Sequence, residues 1–172
     1  MEDDIDQITE TIYLGNIDAA FNKKKLKQLG IKKVLTVMSA FGNHYSPHEF
    51  IHKSIDVDDD FRTNIICHFK ECILFIEGKD KIFVHCAAGM SRSPTIVIAY
   101  IMWKEHKSYY QAFLDVKYKR KFIEPNKGFI FQLKYFESML NENNYDLDKI
   151  DFVGFNYKEK WDKFINFVGS YK

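Results

Sequence analysis

The sequence predicts an α/β fold: a central, mostly parallel sheet of about five strands flanked by helices, with a helical second half. Short β-prone apolar runs alternate with stretches of helical periodicity up to residue 85, the pattern of strands linked by crossover helices. From residue 92 to 141 the periodicity is helical throughout. A hydrophobic content of 46% over 172 residues is enough to bury one core, and there are no repeats or low-complexity tracts.

Thr11-Ile12-Tyr13-Leu14 reads as the first strand, ended by Gly15-Asn16. Ala19, Ala20, Leu26 and Leu29 then mark a helix over 18–29, with Gly30 as its stop. Lys23, Lys24, Lys25 and Lys27 on that helix read as a solvated face. Lys33–Val37 is a buried strand, 39–48 a polar loop, and Phe50–Val57 a further strand broken by Asp58-Asp59-Asp60. Ile65, Phe69, Cys72, Ile73 and Ile76 define an amphipathic helix over 63–77, ending near Gly78. A strand at 81–85 follows, then helices at about 92–106, 108–120 and 127–141. The run at 141–144 marks a domain edge. The tail beyond it carries Phe152, Phe155, Trp161, Phe164, Ile165 and Phe167, too aromatic for disorder, and is expected to dock as a helix.

A formal net charge of +1 argues against a general nucleic-acid binder. No apolar run reaches transmembrane length, and the acidic start lacks a signal-peptide core. Three cysteines make no disulfide framework, so a reducing compartment, cytoplasmic or also nuclear, is expected. Cys67 and Cys72 read as packing residues, and Pro47 breaks any helix that would align His44, His48 and His52 on a metal, leaving a surface loop. No metal or cofactor is expected.

The chemistry concentrates in HCAAGMSRS, residues 85–93. Strand residues precede it and a long apolar helix follows, with Pro94 in the first turn, where its missing N–H would have been unpaired anyway. A thiol in such a loop faces unpaired N–H groups and the positive end of a helix dipole, which favours the thiolate. The same features cradle a phosphate: the backbone amides of Ala87, Ala88, Gly89, Met90 and Ser91 form an anion nest, and Arg92 offers a planar fork. Gly89 permits the backbone turn that a cradle needs. The stretch reads as a phosphate cradle with Cys86 as the nucleophile at its floor, poised for in-line attack at phosphorus.

VHCAAGMSRSPTIVIAYIM, residues 84–102, resembles the signature of the dual-specificity protein phosphatases, a branch of the cysteine-dependent phosphatases with the pattern H-C-x5-R-S/T. IYLGNIDAAFNKKKLKQLGIKKVLTV resembles the opening strand–helix–strand of that family, and IEPNKGFIFQLKYFESML its closing helix, so the resemblance covers about residues 8 to 142. It implies a phosphatase domain over 1–142 and an extension over 143–172. It also implies Cys86 as nucleophile, Arg92 as phosphate clamp, and Ser93 as hydroxyl donor to the sulfur that eases breakdown of the phosphocysteine. His85 sets the loop geometry and Asn126 supports the active-site loops. The family places a general acid in the segment SIDVDDDFRTNI; counting from Ile55 and Asn64 puts Asp59 there, with Asp58 second and Asp60 third. Lys121 falls where some relatives carry an arginine near a second phosphate pocket, although the run around it also reads as a charged helix end.

The implied activity is hydrolysis of phosphotyrosine and phosphoserine or phosphothreonine in a phosphorylated protein, by a monomer that engages neither nucleic acid nor membrane. A phosphoprotein-binding module would usually lack one of the catalytic groups. A phosphoinositide phosphatase would tend to place lysines where Ala87, Ala88 and Met90 stand, and an RNA 5′-phosphatase would tend to be more basic.

Overall fold

The computed structural model describes residues 4–39, 41–42 and 44–169, with side chains to residue 166. Its sheet has five strands in the order β1-β2-β5-β3-β4: Ile5–Gln7 (β1), Ile12–Gly15 (β2), Lys33–Val37 (β3), Ile51–Ile55 (β4) and Ile82–His85 (β5). All neighbours run parallel except β1, which pairs antiparallel with β2. The strand β5 is therefore central, with Val84 registered against both Leu14 and Leu35. Ligand sites in such sheets lie beyond the carboxyl ends of the strands, where the loop after His85 sits.

Alternation along β5 separates two cores. Ile82 and Val84 face one made with Phe69–Ile76 (α3), Arg92–Glu105 (α4), Tyr109–Lys119 (α5) and Lys127–Glu142 (α6). Phe83 faces a smaller one built from Tyr13, Val34, Ala19, Ala20, Leu26, Phe41, Tyr45 and Phe50. Helix α4 is buried along Ser93–Met102, which explains why its sequence is apolar all round rather than striped.

Some boundaries depart from the sequence reading. The helix expected over 18–29 is two: Ile17–Phe21 (α1) and Lys23–Gln28 (α2). Asn22 breaks it by ending α1 and capping α2, its side chain accepting from Lys25 N. Lys23 and Lys27 on α2 pair with Glu49 at 2.8 and 2.9 Å. The helix expected from residue 63 starts later, as a 3₁₀ turn at Ile66–His68 leading into α3. Gln132 of α6 accounts for the delay: its Oε1 accepts from Ile66 N and its Nε2 donates to Thr63 O, capturing backbone groups that an earlier helical turn would use. The edge strand β1 was not expected, being short and interrupted by Asp6.

Helix α7, Tyr157–Gly169, packs against α6. Phe152, Phe155, Tyr157 and Trp161 are buried, whereas Phe164 is 42% exposed and Ile165 is also exposed. The Phe167 side chain falls outside the described residues. Among the described residues no helix is long and apolar enough to cross a membrane.

Candidate active site

The loop from Cys86 to Ser91 joins the end of β5 to the start of α4, and the carbonyls of Ala87 to Met90 are each engaged from behind. Ala87 O accepts from Ile17 N at 3.1 Å, and Met90 O from Glu124 N at 2.7 Å. Gly89 O and Ala88 O accept from Arg120 Nε and Nη2 at 2.8 and 3.4 Å. Because a trans peptide points its C=O and the following N–H in opposite directions, the amides of Ala88, Gly89, Met90 and Ser91 turn to the other side. The Gly89 N–H does so visibly, donating to Cys86 Sγ at 3.2 Å. Gly89 sits at φ +66, and a Cβ there would collide with Gly15 O and Arg120 Nη2, so glycine is required.

Cys86 is 1% exposed. Its sulfur accepts a second hydrogen bond, at 3.2 Å, from Ser93 Oγ on the first turn of α4. Two donors thus converge on the sulfur. Arg92 is tethered through Nη1 to Val57 O at 3.3 Å, and its buried Nε makes no hydrogen bond among the described residues. That leaves guanidinium N–H capacity available for an oxyanion.

His85 is fully buried, stacked on Phe83 at 5.4 Å and edge-on to Phe41 at 4.8 Å. Burial holds its pKa down to about 3, only partly opposed by the Cys86 backbone, so the ring is neutral. Its Nε2 lies 2.8 Å from Thr36 Oγ1, which also meets His52 Nε2 at 2.9 Å. His52 thus lies in β4, inside the strand expected over 50–57 rather than in the surface loop, and braces His85 through Thr36. His44 packs edge-on to Phe41 at 4.6 Å, and the same ring meets that of His52 at 6.3 Å; among the described residues no three His, Cys, Asp or Glu side chains are grouped as metal ligands.

The three aspartates of the acid loop separate clearly. Asp58 Oδ1 accepts from Ser39 Oγ at 2.6 Å. Asp60 is held by Arg62 through Nε and Nη2, both at 2.9 Å, and this arginine depresses its pKa to about 2. Asp59 alone is bound to the cradle: its Oδ1 accepts from Ser91 Oγ at 2.7 Å and Asn126 Nδ2 at 2.9 Å. Its Oδ2 lies 3.8 Å from Arg92 Nε, an ion-pair distance too long for a hydrogen bond. Asn126 also caps α6 through Phe129 N and donates its own N–H to Ser91 Oγ at 3.1 Å. The Cys86 sulfur, the Arg92 guanidinium and the Asp59 carboxylate thus meet at the carboxyl edge of the sheet.

The chain matches the family model of the dual specificity phosphatase catalytic domain over residues 12–139. It belongs to the dual-specificity phosphatase family. It is 38% identical over 144 residues to dual specificity protein phosphatase 1B of Arabidopsis thaliana, covering 81% of this chain and 86% of that one. It is 40% identical over 138 residues to dual specificity protein phosphatase 1 of Mus musculus, 78% of this chain but 37% of that longer one. The fold also resembles the crystal structure of human tyrosine phosphatase-like serine/threonine/tyrosine-interacting protein, with a TM-score of 0.76 and 31% identity, covering 81% of this chain and 99% of that one. The chain is a cysteine-dependent protein phosphatase.

Several supports of this phosphatase site were missed in the sequence. Arg120 is the largest: fully buried, it grips the cradle from behind and pairs with Asp4 at 2.6 Å and Asp6 at 2.7 Å. Its neighbour Lys121, weighed as a second-pocket cation against a plain charged helix end, lies exposed with its ammonium 5.0 Å from the Tyr118 ring. The only sequence hint was a basic cluster matched by acidic residues near the start. The side chain of Ser91 and the Thr36–His52 brace carried no sequence signal.

Proposed function

We propose that Cys86 is the nucleophile, Arg92 the phosphate clamp and Asp59 the general acid of a phosphatase acting on phosphotyrosine, phosphoserine and phosphothreonine in proteins. The sulfur, accepting hydrogen bonds from Gly89 N–H and Ser93 Oγ at the floor of an amide-lined loop beside Arg92, carries this reading. The phosphoryl oxygens rest on the amides of Ala88 to Ser91 and on the guanidinium of Arg92, groups aimed where negative charge accumulates. The thiolate electron pair forms the S–P bond as the P–O bond of the ester breaks, and Asp59 protonates the leaving oxygen.

Water then attacks phosphorus as the P–S bond breaks. The Asp59 carboxylate takes the proton of that water, phosphate leaves and the thiolate is restored, with Ser93 Oγ stabilising the departing sulfur. Because Oδ1 of Asp59 is already engaged by Ser91 and Asn126, Oδ2 is the oxygen that carries the proton.

Breadth of substrate follows from a low rim, where exposed Ala88, Met90 and Asp59 leave short phosphoserine and phosphothreonine chains within reach. All groups come from one chain, so a monomer suffices, and three unpaired thiols suit the reducing conditions of cytosol or nucleus. The test is phosphate release from matched peptides bearing each phosphoresidue, beside a phosphoinositide and a 5′-triphosphorylated RNA. Peptides should dominate and all three phosphoresidues should turn over; strict phosphotyrosine use would remove the breadth, and preference for the lipid or RNA would remove the protein substrate. Rapid quenching of Ser93→Ala with a labelled phosphopeptide should trap phosphocysteine, and its absence there would remove the covalent step.

A further inference from the structure

The acid loop is held from two sides, and the second side lies outside the residues that match the family. Toward the cradle, Asp59 is held by Ser91 and Asn126. Two residues further on, the Phe61 carbonyl accepts a hydrogen bond from the hydroxyl of Tyr157, the first residue of α7. Gly128, in the first turn of α6, closes in on the same carbonyl so tightly that any Cβ would strike both Phe61 O and Tyr157 Oη. The Phe61 ring lies 5.9 Å from that of Trp161 and 4.7 Å from Lys127 Nζ.

Tyr157 and Trp161 are themselves fixed. Both are buried, and both pack on Phe131 of α6, with ring centroids at 6.2 and 5.4 Å. Burial pushes the Tyr157 phenol up to about 12, so the hydroxyl keeps its proton and remains a donor across the range in which the enzyme works. A carbonyl in an exposed acidic turn ordinarily bonds to water, and nothing in the cradle requires this one to meet an extension that starts beyond the family match at residue 139.

We propose that the C-terminal extension is a positioning clamp for the acid loop: Tyr157, through the Phe61 carbonyl, and Trp161, against the Phe61 ring, hold Asp59 at the height from which it protonates the leaving oxygen. Tyr157 touches neither substrate nor the reacting atoms and is a positioning residue. The clamp rests on the reading of Asp59 as the acid. Small displacements of a proton donor weaken transfer steeply, and they matter most where the leaving oxygen is a poor leaving group.

The experiment compares Tyr157→Phe, Asp59→Asn and the double variant, in the full chain, on a phosphothreonine peptide and on nitrophenyl phosphate. Losing one hydrogen bond should lower kcat on the peptide about five- to tenfold relative to the aryl ester. In the Asp59→Asn background the same change should have no further effect. Trp161→Leu loosens the clamp from the ring side without touching the hydroxyl and should show the same substrate pattern. Lys163→Ala, exposed on α7 and paired with Glu159 rather than with the clamp, should leave the ratio unchanged. Equal losses on both substrates, no loss, multiplication with Asp59→Asn, or the same effect from Lys163→Ala would each overturn the clamp. If Asp59→Asn itself shows no dependence on the leaving group, the acid assignment fails and the clamp with it. If Asp59→Asn shows that dependence and Tyr157→Phe does not, the clamp alone fails.

Discussion

Ser91 and Asp59, 32 positions apart, are joined by a 2.7 Å hydrogen bond in which the hydroxyl donates to Oδ1. The bond ties the loop after β5 to the aspartate loop, so the proposed phosphate cradle and the proposed general acid are held as one unit. Asp58, one residue earlier, faces Ser39 instead.

Replacing the acid should therefore discriminate between substrates. Asp59→Asn should slow a phosphoserine or phosphothreonine peptide by about 10²–10⁴, because an alkoxide needs the proton, and nitrophenyl phosphate much less. It should also flatten the basic limb of the pH profile. Asp58→Asn should do little; steady-state kinetics showing the reverse order would transfer the role to Asp58.

The roles proposed for Cys86 and Arg92 are separable by turnover and binding. Cys86→Ser should have no measurable turnover while still retaining a phosphopeptide, since the cradle amides and Arg92 remain. Arg92→Lys should be severely impaired, because a point charge does not replace a planar two-pronged donor. Near wild-type kinetics in either variant would remove that residue from the site.

Arg120 is a fully buried cation whose carboxylate partners, Asp4 and Asp6, are only partly covered. Asp4→Asn combined with Asp6→Asn leaves the guanidinium buried without a counter-charge, a change that destabilises, by less than the roughly 3–5 kcal/mol of a wholly buried pair because the carboxylates are partly solvated. Urea unfolding should register the loss. Because Arg120 also holds the Gly89 and Ala88 carbonyls, affinity for an oxyanion inhibitor such as vanadate should weaken in parallel.

Burial of neutral His85 makes stability depend on pH in a defined direction. The folded ring protonates near 3, whereas an exposed imidazole protonates near its usual value of about 6.5. Between these values the unfolded chain binds the extra proton, so this contribution falls as the pH drops through the window, by at most about 1.4 kcal/mol per pH unit. His52, also lowered by burial, acts in the same direction. Denaturant titrations of His85→Gln should show a shallower slope than wild type between about pH 6.5 and 4; an identical slope would mean that carboxylates account for all of it.

Truncation after Asn144 removes Phe152, Phe155, Tyr157 and Trp161, all buried. At roughly 1.5–3 kcal/mol for each large apolar side chain, even partial realisation should lower the melting temperature by several degrees. Calorimetry showing no change would mean that the extension contributes nothing to the stability of the domain.

The sequence by itself determined whatever depends on neighbours along the chain. The alternation of strands and helices set the α/β class, and the order Cys86, Gly89, Arg92, Ser93 set a cradle at a helix N-terminus, because backbone conformation and amide direction in so short a loop follow from a few adjacent residues. Only the tertiary structure decided what depends on contacts across the chain. Three consecutive aspartates are chemically equivalent until Ser39, Arg62 and the Ser91–Asn126 pair divide them. Arg120 and Lys121 are both cations at a helix end until one is buried against Asp4, 116 positions away. The delayed start of α3 and the hold on Phe61 arise in the same way, from Gln132 and Tyr157 capturing backbone groups. A buried polar group must find a partner, and which partner it finds is a property of the packed fold rather than of local spacing.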